Sequence, residues 1–183
     1  MAEGFKRLQF IADLAGLRGV GYDELAAKLG VSRPVIYSAI KEDDMNLSRA
    51  EAICQILDSN LSFKLFAPGE DVDVTVGGKD IRHNGDGSFQ VKRLAFLSAY
   101  LDAKGISRVE LANCMGLGWS TVATWFRKDD IKISRLFQIA DSLGFSVRVD
   151  LKVNDYPANP TNHSARTFSV NISQSRVTIL GRD

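Results

Sequence analysis

GVSRPVIYSAIKEDD (residues 30–44) and GLGWSTVATWFRKDD (residues 116–130) share one frame: a glycine, an apolar residue beside it, a second apolar residue five further on, and two closing aspartates. The frame extends well beyond the two stretches. Shifting the chain by 86 residues lays 5–65 on 91–151 without a gap, and 16 of the 61 positions are identical. Lys6, Arg7, Leu8 and Phe10 fall on Lys92, Arg93, Leu94 and Phe96, Glu24-Leu25-Ala26 on Glu110-Leu111-Ala112, and Ser48-Arg49 on Ser134-Arg135. Self-similarity at a fixed offset is read before any single element, because it decides the architecture. A second match, offset by 96, sets 72–85 against 168–181, and the ten extra residues fall in the Pro- and Asn-rich stretch 154–166. That stretch reads as a surface loop inserted into the second copy.

Each copy carries the same succession of patterns. Phe5, Leu8, Ile11, Ala12 and Ala15 recur on one face of a helix over about 5–17. A short second helix follows at about 22–29, and Ser107 with Glu110 in the other copy has capping-box spacing. The quoted stretch is the third helix, and Pro34 falls in its first turn, where a missing amide donor is harmless. Ser48 and Glu51 repeat the capping-box spacing ahead of a fourth helix with Ile53, Ile56 and Leu57 inward. Period-two alternation then predicts strands, through Leu61, Phe63 and Leu65 in one copy and Val147, Val149, Leu151 and Val153 in the other. Gly77-Gly78 between 72–76 and 80–83 predicts a tight hairpin. The expected fold is mainly α with a small β part (α+β). It consists of two tandem repeats, 1–88 and 89–183, each a helical bundle followed by a small antiparallel sheet.

Ala26 and Ala112 are small where two helices meet closely, and Gly30 and Gly116 stand four residues later, where the chain turns. Val31 with Ile36, and Leu117 with Val122, then pin the third helix to the second. On Leu25, Ala26, Gly30, Val31, Ile36, Leu47 and the following AICQIL helix, with their equivalents 86 residues on, each copy resembles the phage-repressor and Cro type (Xre-like) of helix-turn-helix, over about 60 residues. The resemblance implies a λ-repressor-like bundle and double-stranded DNA as partner. In such a fold the third helix lies in the major groove. The outward residues are then Ser32, Arg33, Pro34, Val35, Tyr37, Ser38 and Lys41 in the first copy. In the second they are Trp119, Ser120, Thr121, Ala123, Thr124 and Arg127, with Lys128 beside them. Arg33 suits a bidentate contact to guanine and Val35 a thymine methyl, while Lys41 suits a phosphate. Trp119, at the Arg33 position, fits either a sugar or methyl group or a protein surface. Lys6, Arg7, Lys92 and Arg93 are candidate phosphate contacts or solvated charges, and Trp125, aligned with Ala39, is expected in the core.

Bulk composition bounds these readings. At 45% hydrophobic and 25% charged residues with a net charge of +1, the chain is an ordinary globular one with no global pull toward nucleic acid. Charge is sorted locally: eight basic and eight acidic residues in 5–65 against nine and six in 91–151. No apolar run approaches the roughly 20 residues of a membrane span. Cys54 and Cys114 have neither metal-ligand nor disulfide spacing and read as packed small residues. A cytoplasmic, nucleoid-associated protein without metal or cofactor is expected.

Glu70, Asp71, Asp73 and Lys79 distantly suggest a metal-dependent nuclease, but Arg166, Thr167, Ser169 and Ser175 stand at those places in the second copy, and His83 and His163 lack an acid–base partner. The expectation is therefore not an enzyme but a sequence-specific regulator, a repressor, with two unlike recognition helices on a pseudo-palindromic or asymmetric operator. The alternative is an antitoxin- or anti-repressor-type module that keeps the fold and binds a protein through its hairpins. Those hairpins are also the expected route to a homodimer, because exposed strand edges are templates for pairing.

Overall fold

A computed structural model describes residues 6–66, 78–153, 166–173 and 176–181. The described part is mainly helical with antiparallel strand pairs, the α+β class expected. Four helices, α1 (Gln9–Arg18), α2 (Tyr22–Leu29), α3 (Arg33–Lys41) and α4 (Leu47–Ile56), precede strand β1 (Ser59–Phe66). After a 3-10 turn at Gly78–Asp80 come β2 (Ile81–His83) and β3 (Phe89–Val91). Helices α5 (Ala95–Ala103), α6 (Arg108–Cys114), α7 (Trp119–Lys128) and α8 (Ile133–Leu143) follow. The chain then forms β4 (Ser146–Val153), β5 (Arg166–Ser173) and β6 (Arg176–Gly181).

Most of the predicted apolar positions form the cores, while Ala12 and Ile56 are only half-buried. Leu8, Ile11, Ala15, Leu25, Ala26, Ile36, Leu47, Ile53 and Leu57 are buried in the first bundle. Leu94, Leu97, Leu111, Ala112, Val122, Ile133, Leu136 and Ile139 are buried in the second. Each large side chain contributes about 1.5–3 kcal/mol. Two turns fix how the second helix of each bundle meets the third. Gly30 adopts φ 66° and Gly116 φ 63°, the left-handed region that glycine enters without cost. The amides of Val31 and Leu117 then donate back to Ala26 O (3.0 Å) and Ala112 O (2.9 Å).

Helix starts divide the capping predictions. Ser107 caps α6 as expected: Glu110 N donates to its Oγ at 3.1 Å, and Ser107 N donates to Glu110 Oε2 at 2.7 Å. Ser48 does not cap α4, which has Asn46 at its N-cap and Leu47 already in the helix. Leu47 is fully buried, and seating it in the first turn draws the start forward past Ser48. In the same way α8 starts at Ile133, ahead of Ser134.

The strands group differently from the repeat. β1, β4, β5 and β6 form one sheet in that order, and β2 pairs only with β3. Alternation holds: Phe63, Leu65, Val147, Val149 and Leu151 are buried, while Leu61 and Val153 are half-buried. β5 and β6 pair antiparallel with Val170 opposite Ile179 and Ile172 opposite Val177. The expected strand 72–76 and its turn residue Gly77 lie outside the described residues, as do Glu70, Asp71, Asp73, His163 and nearly all of the 154–166 loop. The partner of 81–83 that is described is 89–91, across the turn NGDGS (84–88), where Gly87 takes φ 83°. The chain forms two compact units, Met1–Phe63 with Arg148–Asp183, and Lys64–Val147.

Candidate nucleic-acid interface

Ile36 and Ala39 turn inward on α3, and Val122 turns inward on α7. The opposite faces are left to solvent. Ser32, Arg33, Pro34, Val35, Tyr37, Ser38 and Lys41 are all exposed, Tyr37 to 56%. On α7, Trp119 (58%), Ser120, Thr121, Arg127 and Lys128 are exposed, whereas Ala123 and Thr124 are half-buried. Thr124 is occupied locally: its Oγ1 donates to Ser120 O at 2.8 Å and accepts from Arg127 Nη2 at 3.4 Å. Trp125, expected in the core, is only half-buried.

The cations on the two helix pairs are held differently. In the first unit Lys28 pairs with Glu24 at 2.8 Å and Arg33 Nε with Asp23 Oδ1 at 3.2 Å. In the second, Arg127 bonds a hydroxyl and Arg108 lies over the Phe126 ring, 4.2 Å from its centroid. Neither contact brings a carboxylate to these cations, and the copy that holds them, 91–151, is also the one with the more positive charge balance. Exposed pairs add little stability, and their significance here is orientation.

The first aspartate of each repeated pair has a structural role that explains its repetition. Asp43 and Asp129 both adopt φ 54°, a left-handed conformation that short polar residues tolerate. Asp43 Oδ2 and Oδ1 accept from the amides of Arg7 and Leu8, each at 2.8 Å. Asp129 accepts from Arg93 and Leu94, each at 2.9 Å. One carboxylate thus satisfies two orphan amides where the first helix of each bundle begins, and its charge opposes the positive end of that helix. The adjacent arginine closes the clamp: Arg7 Nε donates to Asp43 O at 3.1 Å, and Arg93 Nη1 to Asp129 O at 2.7 Å.

Three of the four candidate phosphate contacts are therefore engaged inside the fold. Arg7 and Arg93 lock the aspartate loops, and Lys92 Nζ donates to the carbonyl of Lys79. Lys6 is exposed. Long-range pairing, invisible in spacing alone, gives these residues a structural task. Asp23 was not singled out in the sequence, and neither was its counterpart Val109, which is 50% exposed.

No protein-family model, curated protein or solved structure matches this chain. Among the described residues, no cluster of three or more His, Cys, Asp or Glu is placed to hold a metal ion. No helix among them is long and apolar enough to cross a membrane. Burial pushes the Cys54 thiol up to about 12, with Glu51 adding to the effect, so it stays protonated and inert.

Proposed function

We propose that the protein is a sequence-specific DNA-binding regulator, a repressor, whose α2–α3 and α6–α7 pairs are two helix-turn-helix units of the Xre-like kind. The observation that carries this reading is the repeated geometry. A left-handed glycine follows each second helix, and each third helix buries one face while exposing polar and cationic residues at its outer one. Such a helix offers its first turns to base edges in the major groove. Because α3 presents Arg33 and Tyr37 where α7 presents Trp119 and Ala123, the expected operator is asymmetric. The second unit supplies more of the phosphate attraction and the first more of the base reading.

Titration of the intact chain with a randomised duplex over a range of salt concentrations tests the proposal. Phosphate contacts release counterions, so log K should fall linearly with log salt. An absence of binding at low salt removes the proposal.

A second reading rests on the β2–β3 ribbon. Phe89 and Val91 lie on one face of β3 and are 70% and 51% exposed, which suits a protein partner. Loss of a co-purifying partner on Phe89→Ser, with duplex binding intact, would support that reading in addition to DNA binding.

A further inference from the structure

Arg33 opens α3, and Asp23 sits in the first turn of α2 with its Oδ1 3.2 Å from Arg33 Nε. Both side chains are largely solvent-exposed, 66% and 72%, so the pair contributes little to holding the helices together. Its geometry has another consequence. With Nε engaged, the two Nη groups form the free end of the guanidinium, and their parallel N–H bonds match O6 and N7 of guanine. A carboxylate at this place also repels phosphate, which opposes diversion of Arg33 to the backbone.

In the second unit both positions change together. Val109 stands for Asp23 and Trp119 for Arg33, and they are 50% and 58% exposed. An ion pair in one unit is thus replaced by two exposed apolar residues in the other, although the surrounding glycine, turn and core positions are retained. Drift of one residue would leave an unmatched charge, and neither unit has one at this place.

We propose that this pair of positions is the specificity element of each unit. Asp23 is a positioning residue that aims Arg33 at a guanine, and Val109 with Trp119 forms an apolar reader for the 5-methyl group of thymine at the corresponding base pair of the other half-site. The inference rests on α3 and α7 being the base-reading helices. It adds which base chemistry each reads, and through which residue outside the recognition helix.

The test uses the full chain. A site is selected from a randomised duplex pool, and each guanine in it is then replaced singly by 7-deazaguanine, which lacks the N7 acceptor. One such replacement should weaken the natural protein about ten-fold. Asp23→Ala should shrink that ratio about two- to five-fold, the range set by an exposed ion pair, and should tighten binding to non-selected duplex. Asp23→Glu should restore part of the ratio. Arg33→Ala should abolish it, and the double variant should match Arg33→Ala alone. Installing Asp23→Val with Arg33→Trp should exchange guanine sensitivity for thymine sensitivity, read by replacing thymine with uracil.

An unchanged melting temperature for Asp23→Ala verifies that the fold is intact, as its exposure predicts. A ratio unaffected by Asp23→Ala, or additive losses in the double variant, would overturn the proposed role of Asp23 while leaving DNA binding standing. A transplanted pair that gains no thymine sensitivity overturns the apolar half. A chain that retains no duplex at low salt overturns the underlying reading and this inference with it.

Discussion

Replacing Asp129 by alanine removes both acceptors of the Arg93 and Leu94 amides and places a Cβ-bearing, non-polar residue at φ 54°. An orphaned amide costs about 1–3 kcal/mol where it is withdrawn from water. Left-handed backbone costs alanine about 1–2 kcal/mol. Taking the low end of each gives a loss of about 3 kcal/mol, a large fraction of a typical 5–15 kcal/mol. Two further variants separate the causes. Asp129→Gly still orphans both amides but relieves the backbone, for about 2 kcal/mol; Asp129→Asn keeps one acceptor and tolerates the conformation, for about 1 kcal/mol. Both tryptophans, Trp119 and Trp125, lie in the Lys64–Val147 unit, so urea unfolding followed by fluorescence reports on the region that Asp129 serves. The predicted order of loss is Ala, then Gly, then Asn. Equal losses for all three, or none above about 0.5 kcal/mol, would refute the view that this carboxylate clamps the start of α5.

Hydrogen bonds from the Ser107 amide and hydroxyl hold the Glu110 carboxyl below the usual carboxylate range. A folded-state value below the unfolded one stabilises above the unfolded value, and that contribution disappears as pH falls through the folded value. Melting temperatures of the natural protein and Glu110→Ala should therefore differ at neutral pH and converge in acid; a gap that persists at pH 2 would contradict the capping role. Arg127→Ala should reduce the salt slope of duplex binding by about one, whereas an unchanged slope would place Arg127 off the duplex. Cys54 is buried and its thiol is pushed up to about 12, while Cys114 is exposed, so iodoacetamide at pH 8 should add one label to the native chain by mass spectrometry. Two rapid labels would mean that the α4 core opens readily.

Local patterns were readable wherever the deciding interaction is local. The second helix was expected at about 22–29 and occupies Tyr22–Leu29, because Gly21 and Gly30 bound its apolar period on both sides. The inward alternation of β1 and β4 follows from period two, and the Ser107–Glu110 box from a spacing of three. The Ser48–Glu51 pair has the same spacing but loses to the burial of Leu47, a tertiary demand that spacing does not encode. NGDGS at 84–88 carries the Asn-Gly and Asp-Gly turn signal and joins β2 to β3. The roles of Asp43 and Asp129 depend on partners 35 and 36 residues away, and only their repetition hinted at a shared task. The Asp23–Arg33 contact spans the turn between two helices, so its chemistry emerges only once Gly30 has set their crossing.

In the proposed function the exposed faces of α3 and α7 read duplex DNA. Hydroxyl-radical footprinting of the full chain on a selected duplex, repeated with Arg33→Ala and with Arg127→Ala, is the decisive experiment. Two unequal protected segments are expected, with Arg33→Ala weakening protection at one segment and Arg127→Ala at the other. Uniform protection along the duplex, or none at low salt, would contradict it.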